Sequence, residues 1–243
     1  MKVIKLNAID STNDYLKALS RKVDLDGDVV VVTHNQLHGR GQMGTYWFSE
    51  EGKNLSFSLL RRFQSLNVNH QFAINCAVSI AVKQGLELMG LDAIDIKWPN
   101  DILADNKKIG GILIENQLQA SVITSSVIGV GINVNNEQFP DLPKATSMTL
   151  QMQKKYDLDE VLEVLVEQIT SELDTLKALD FDQLKSRYER NLFRINTLSE
   201  FENSTGERFK AMIKGISENG ELKLQMPDAS LRFFKLKELQ LIY

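Results

Sequence analysis

His38-Gly39-Arg40-Gly41-Gln42-Met43-Gly44 contains a literal G-x-G-x-x-G behind an apolar run, Val29-Val30-Val31-Val32-Thr33. Such a turn is a dinucleotide fingerprint only when its glycines open an amphipathic helix and an acidic residue follows about twenty positions on. Neither condition holds. The glycines lead into Thr45-Tyr46-Trp47-Phe48-Ser49, which is aromatic and lacks helical spacing. Asn54-Leu55-Ser56-Phe57-Ser58-Leu59 then alternates like a strand. Twenty positions past Gly44 stands Gln64. A Rossmann domain is set aside, and a glycine-rich, Arg-bearing loop between two strands remains.

Working outward, Val3 to Ile9 reads as a strand, and Ser11 as the N-cap of a short helix through Leu19, with Asp14 three residues on. Gln71 to Met89 is predicted helical, with Ala73, Ala77, Ile80 and Leu88 on one face beside Cys76, and Gly90 ends it. Asp95 to Trp98 reads as a strand end broken by Pro99-Asn100-Asp101. Lys107 to Glu115 and Val122 to Val134 are two more strands, the second apolar enough to be central. Leu158, Val161, Leu162, Leu165, Ile169, Leu173 and Leu176 give a helical stripe, and a further helix runs from Phe181 to Leu192. The last fifty residues change to short strands with turns at Ser204-Thr205-Gly206, Glu218-Asn219-Gly220 and Pro227-Asp228. These predict two domains, 1–193 and 194–243, the second a small β-barrel, in an α+β protein with a mixed sheet flanked by helices.

The 243 residues suffice for a sizeable core. A formal net charge of −4 provides no global footprint for nucleic acid. The single Cys76 excludes an intrachain disulfide framework and fits a reducing compartment. His34, His38 and His70 match no zinc spacing, and no phosphate loop of the G-x-x-x-x-G-K-[ST] type occurs. The polar start MKVIKLNAIDSTND is not a signal peptide, and no apolar run reaches membrane-spanning length. A cytoplasmic protein without membrane or nucleic-acid partners is expected.

Several strand ends carry glycine plus one polar group. Lys97-Trp98-Pro99-Asn100-Asp101 is either a plain turn or a site in which Asp101 is placed as a Mg²⁺–phosphate ligand. Lys107-Lys108-Ile109-Gly110-Gly111-Ile112 is either a solvated hairpin or a lysine beside a close approach to the backbone. Gly129-Val130-Gly131-Ile132-Asn133 reads by itself as a bulge and turn, Ser11-Thr12-Asn13 as a helix cap, and Trp47 as a core aromatic. Their conjunction, with Arg40 and Lys108 positive, Asp101 negative and Trp47 offering a face, suits an anionic substrate together with a nucleotide.

In order along the chain, Ser11–Asn13 (STN), Gln36–Gly41 (Q-x-x-GRG), Trp47, Lys97–Asp101 (KWPND), Lys108–Leu113 (KxxGIL) and Gly129–Asn133 (GxGIN) resemble the biotin–protein ligase family. The resemblance spans roughly the whole chain and implies the catalytic fold shared with lipoate ligases, plus a C-terminal SH3-like β-barrel. It implies ATP and biotin as substrates with Mg²⁺, formation of biotinyl-5′-AMP and pyrophosphate, and transfer of biotin to a lysine of a biotin carboxyl carrier domain of acetyl-CoA carboxylase or a related enzyme. It implies that Ser11, Thr12, Asn13, Gln36, Gly39 and Arg40 form the biotin pocket, with Gly111 and Gly129 letting the bicyclic ring approach the backbone. Lys108 would bind the biotin carboxylate and the developing phosphoryl charge, with Lys97 as electrostatic support. Arg40, Gly41 and Gln42 would close over the adenylate, Trp47 would stack on adenine, Ile112 would line its site and Asn133 would read its edge. Asn100 and Asp101 would hold phosphate and Mg²⁺, Asp101 as the metal ligand.

Two departures stand out. Many family members carry a second basic residue where this chain has Gln42, so weaker retention of the adenylate is expected. The chain also starts at the first catalytic strand, which fits a ligase without the N-terminal repressor domain of some bacterial members. A lipoate or octanoyl transferase on the same scaffold and a non-catalytic biotin- or nucleotide-binding module are the rival readings. A homodimer and the acceptor's base are left open.

Overall fold

The computed structural model describes residues 1–178 and 180–243. The strands β1 (Lys2–Ile9), β2 (Val29–Gln36), β3 (Asn54–Asn67), β4 (Ile94–Lys97), β5 (Asp101–Ala104), β6 (Lys107–Gln119) and β7 (Val122–Asn133) form one sheet in the order β1-β2-β3-β7-β6-β5-β4. Only the β1–β2 pairing is parallel, so the sheet is mixed. β7 lies at its centre, as its apolar run predicts.

The helices α1 (Thr12–Lys22), α2 (Gln71–Leu88), α3 (Met148–Met152), α4 (Leu158–Thr175) and α5 (Phe181–Arg190) divide between the two faces. α2 packs on the sheet, with α4 and α5 against α2. Side chains such as Val30, Phe57, Leu59, Ile128 and Ile132 point into that layer. α2 is buried all round rather than along one stripe, because it is sandwiched. Gly85 makes this possible: a Cβ there would stand 2.6 Å from Leu165 Cδ2. Leu88, expected on the buried face, is instead exposed at the helix end.

α1 covers only part of the opposite face. There Leu16 packs with Val29, Val31, Leu60 and Val127 in a small second core. Along the neighbouring strands of that face the side chains shrink. Leu60 pairs with Val127, then Ser58 with Gly129, then Ser56 with Gly131, which also pairs with Gly111. Successive side chains alternate between faces, so these small residues open a hollow on one side while β7 stays apolar on the other.

The strands β8 (Leu198–Asn203), β9 (Arg208–Ile216), β10 (Leu222–Gln225), β11 (Leu231–Phe234) and β12 (Leu239–Ile242) form a five-stranded antiparallel sheet of SH3-like kind. Phe201, Ile213, Leu222 and Leu224 join the same hydrophobic cluster as the helical layer. Asn219-Gly220 does mark a hairpin, but not as a two-residue turn. Ser217 N–H bonds to Glu221 O at 2.9 Å, Gly220 N–H to Ser217 O at 3.0 Å, and only Gly220 takes positive φ, at 82°. This is the longer loop in which a left-handed glycine follows a type I turn.

Tyr188 shows how α5 fixes the site from beneath. Its buried hydroxyl donates to Pro99 O at 3.0 Å, and Asn75 Nδ2 donates to the same carbonyl at 2.7 Å. Burial pushes the Tyr188 pKa well above its ordinary value, so the hydroxyl remains a donor. Tyr188→Phe removes one bond and leaves Pro99 O satisfied, so about 1 kcal/mol of stability should be lost. Urea titration should show a lower midpoint with an unchanged slope.

Among the described residues no helix is long and apolar enough to cross a membrane. Cys76 is fully buried in the α2 layer, as a small core residue.

Candidate active site

The hollow on the α1 face is a cavity of about 630 Å³, within the roughly 300–1,000 Å³ of small-molecule sites. Its floor is β6 and β7, and its walls are the start of α1, the 39–47 loop, the Lys97–Asp101 turn and the edge of the C-terminal sheet. Ser11, Thr12, Asn13, Gln36, Arg40 and Gly41 line it, as do Gln42, Trp47, Lys97, Asn100 and Asp101, and Lys108, Gly111, Ile112 and Gly129. Gly39 and Asn133 do not.

The STN segment is a rigid polar corner. Ser11 Oγ caps α1 by accepting from Asp14 N at 3.3 Å. Thr12 donates to Gln36 Oε1 from its N–H at 3.0 Å and its hydroxyl at 3.2 Å. Ser58 Oγ lies 2.7 Å from Thr12 Oγ1 and 2.6 Å from Asn13 Oδ1. Gly129 is small because the Asn13 amide rests on it.

The glycines of the 39–47 loop serve the loop. Trp47 N–H bonds to Gly39 O at 2.9 Å and Gly41 N–H to Thr45 O at 2.7 Å, so the segment closes on itself as a narrow hairpin. A Cβ at Gly39 or Gly41 would run into Trp47 O or the Thr45 hydroxyl. A short 3₁₀ turn at Gln42–Gly44, with Met43 at φ 53°, makes the tip. From the C-terminal sheet side, Lys237 Nζ donates to Met43 O at 3.0 Å, and the turn at Gly220 accepts Trp98 Nε1–H at 2.8 Å. Both contacts tie that sheet to the cavity wall.

Trp47 lies across the floor. Its indole occupies the space a Gly131 side chain would need and passes 3.4 Å from a Cβ built on Gly111, while Lys108 Nζ lies 5.7 Å from the ring centre. Its Nε1 is buried and has no hydrogen-bond partner among the described residues. The indole nitrogen is packed over Gly131.

Lys97-Trp98-Pro99-Asn100-Asp101 is tighter than a broken strand end: Lys97 pairs with Asp101 across a hairpin, and Asp101 begins β5. The Trp98–Pro99 peptide is cis. Asn100 locks onto β6, its Nδ2 donating to Ile112 O at 2.5 Å and its carbonyl accepting from Ile112 N at 3.1 Å. The Asp101 carboxylate lies between two ammonium groups, Lys108 at 2.6 Å and Lys97 at 3.3 Å. Its negative charge positions the two lysines that the cavity floor presents.

Asn133 lies behind the cavity wall and is held by protein groups. Its buried amide accepts from Asn54 Nδ2 at 2.8 Å and donates to Thr146 O at 2.9 Å, and Asn136 also bonds to Asn54 at 2.8 Å. The side chain organises the loop behind the cavity.

Sequence reasoning also missed Asp14, Lys17 and Glu115. Arg40 Nη2 lies 2.7 Å from Asp14 Oδ1, and Lys17 Nζ 2.7 Å from Glu115 Oε1. Burial raises the Glu115 pKa, but hydrogen bonds from Lys17 and Asn13 and the charges of Lys17 and Arg40 outweigh it, and the carboxyl falls below its ordinary value. No local motif marks these residues, since Glu115 is about a hundred positions from α1.

The fold and this cavity define an enzyme scaffold of the kind that activates carboxylic acids for transfer to protein lysines. Residues 6–133 match the biotin/lipoate A/B protein ligase family, and the chain belongs to that family. Its sequence is 30% identical over 236 residues to the bifunctional ligase/repressor BirA of Bacillus spizizenii, covering 96% of this chain and 72% of that protein. It is 26% identical over 225 residues to a biotin–[acetyl-CoA-carboxylase] ligase of Paracoccus denitrificans, covering 90% of this chain and 92% of that one. Further relatives named bifunctional ligase/repressor are spanned over 61% or 40% of their length. The Aquifex aeolicus biotin protein ligase, solved with biotin and ATP, superposes with a TM-score of 0.80 at 25% identity, covering 99% of this chain and 98% of that chain.

Proposed function

We propose that the chain is an ATP-dependent biotin–protein ligase. The carrying observation is one cavity in which Lys97 and Lys108 converge on Asp101 beside a fixed polar corner and the Arg40-bearing loop. In the first step a biotin carboxylate oxygen attacks the α-phosphorus of ATP, an anhydride bond forms, and pyrophosphate leaves. In the second, a carrier lysine amine attacks the biotinyl carbonyl, the C–N amide bond forms, the bond between that carbonyl and the phosphate oxygen breaks with its electron pair going to AMP, and the amine proton is lost to solvent.

The residues supply positioning and charge. Thr12, Asn13, Gln36 and Ser11 present fixed donors and acceptors for the bicyclic ring and tail. Lys108 bridges the two anions that must meet, and Lys97 keeps the floor positive when Lys108 turns from Asp101 to substrate. Trp47 offers its face, and the 39–47 loop shields the anhydride from water. Gly41, Gln42 and Ile112 border the nucleotide.

Mg²⁺ fits as a companion of ATP. Among the described residues no group of three or more His, Cys, Asp and Glu side chains could hold a metal. Asp101, in the wall turn beside Lys108, is the carboxylate that would reach such an ion, so the phosphates would supply most ligands, as is usual for Mg²⁺–nucleotide sites. Bound there, the ion would offset charge on the departing pyrophosphate. Asp101→Asn should raise the Mg²⁺ concentration needed for half-maximal rate several-fold and change biotin affinity little. An unchanged Mg²⁺ titration removes Asp101 from the metal site.

The same reading has residues 1–193 as the catalytic unit and 194–243 as its appended sheet, a carboxylase carrier domain as acceptor, and a cytoplasmic location without a nucleic-acid target. The net charge of −4 and the two contacts from the C-terminal sheet support it. Pyrophosphate release in the presence of ATP and either biotin or lipoate tests the assignment. Biotin alone should elicit it.

A further inference from the structure

Thr12, Asn13, Gln36 and Ser58 are all buried, and their hydrogen bonds run in one chain that ends on a carboxylate. Asn13 Nδ2 donates to Glu115 Oε2 at 2.8 Å and approaches Leu113 O at 3.4 Å. Both partners only accept, so the amide nitrogen must face them and Asn13 Oδ1 must face Ser58. Ser58 has one proton, and Asn13 Oδ1, 2.6 Å away, can only accept it. Ser58 Oγ is then left as an acceptor toward Thr12. The single Thr12 proton has two acceptors in reach, Gln36 Oε1 at 3.2 Å and Ser58 Oγ at 2.7 Å. Once Ser58 has given its own proton away, the shorter contact takes it. Gln36 Oε1 is fixed as an acceptor by the Thr12 N–H at 3.0 Å. Thr12 Oγ1 and Gln36 Oε1, on two residues that line the cavity, thus stand 3.2 Å apart as acceptors with no proton between them.

The direction of the chain is decided at Glu115. Its other oxygen lies 2.7 Å from Lys17 Nζ. Burial works against the charge, but hydrogen bonds from Lys17 and Asn13 and the charges of Lys17 and Arg40 outweigh it and keep the carboxylate ionised. A donor in its place would turn the Asn13 amide round. The Ser58 proton would then go to Thr12, the Thr12 proton to Gln36, and the acceptor pair would close. We infer that Glu115, held by Lys17, is a positioning residue that keeps Thr12 Oγ1 and Gln36 Oε1 open as a paired acceptor for one N–H of the ligand's ring. The inference rests on the ligase reading and deepens it. The urea ring of biotin carries such N–H groups, whereas the dithiolane of lipoate has none and would leave the pair unmet, the kind of loss by which a hydrogen-bonding site rejects a ligand.

The test uses the full chain with Glu115→Gln, which keeps the shape and puts an amide where the carboxylate was. Lys17 takes the amide oxygen, so the nitrogen faces Asn13. Calorimetric titration with biotin should show an affinity about tenfold lower, roughly the worth of one neutral hydrogen bond. Asp14→Asn is the control. It removes the Arg40 partner at 2.7 Å and the Lys17 partner at 3.0 Å without touching Asn13. It should bind biotin within about twofold of the wild type, since those ion pairs are exposed. Neutron diffraction from unliganded crystals locates the proton itself. The Thr12 deuteron should point to Ser58 in the wild type and to Gln36 in Glu115→Gln. A wild-type deuteron directed at Gln36 overturns the proposal. So does a biotin affinity that Glu115→Gln leaves unchanged, or one that Asp14→Asn lowers as much. Should the wild type bind no biotin, the functional reading fails by itself, and the deuteron positions still decide whether Glu115 sets the direction of the chain.

Discussion

Lys108→Ala is expected to lower biotin-dependent pyrophosphate release by about a hundredfold or more. The first step brings a carboxylate against a polyphosphate, and removing one preorganised charge from such a site costs roughly 10²- to 10³-fold in rate. Lys108 is positioned for the task by Asp101 at 2.6 Å and by the Trp47 ring at 5.7 Å. Lys97, at 3.3 Å from the same carboxylate, sits on the far side of the turn and cannot replace it without leaving the hairpin. The loss should fall on the rate of adenylation more than on biotin affinity, because the polar corner that holds the ring is untouched. Pre-steady-state pyrophosphate release measures it. A rate within a fewfold of wild type would take Lys108 out of the chemistry.

Arg40→Gly should still form the anhydride but release it faster. A charged hydrogen bond to the adenylate is worth about 1.5–3 kcal/mol, a ten- to hundredfold change in release. The Asp14–Glu115 pair lowers that figure. On letting go of the ligand, wild-type Arg40 regains ion pairs worth up to about 1 kcal/mol at this exposure, so the net effect should lie near tenfold. Freed adenylate acylates exposed amines, so the variant should label bystander proteins. Gln42→Arg should act oppositely and slow release, because it adds a second cation to the loop beside the phosphate. Stopped-flow release from both variants and the wild type decides this. Equal rates in all three would mean that the backbone hairpin and Lys237, through Met43 O, hold the loop.

The central sheet and the helical layer were legible because their signals are local. Val29–Thr33 and the Val122–Val134 stretch are continuous apolar runs, and the Leu158–Leu176 stripe carries a helical period. The motif loops were legible for the same reason, each a contiguous string of special residues. What the sequence hid was pairing at a distance. Ser58 looks like any polar residue on an alternating strand, and only the fold brings it to Thr12 and Asn13. Glu115 follows the KxxGIL stretch without any mark of its link to α1. β5 has four residues, too few for a period, and of these only Asp101 carries a signal, as part of the break after Trp98. Gly111 and Gly129 read as clearances for a ligand ring; in the fold Gly129 also makes room for Asn13, as Gly39 and Gly131 do for Trp47 and Gly41 for Thr45. A sequence shows that space is needed, but not what fills it.

The most direct measurement follows both halves of the reaction in one vessel. The chain is incubated with ATP, Mg²⁺ and biotin while pyrophosphate is monitored, and a biotin carboxyl carrier domain is then added and weighed by mass spectrometry. The account predicts pyrophosphate that depends on biotin and not on lipoate, followed by the mass of one biotin on a single carrier lysine and release of AMP. Pyrophosphate formed equally with lipoate, or a carrier domain that stays unmodified after adenylate has accumulated, would contradict it.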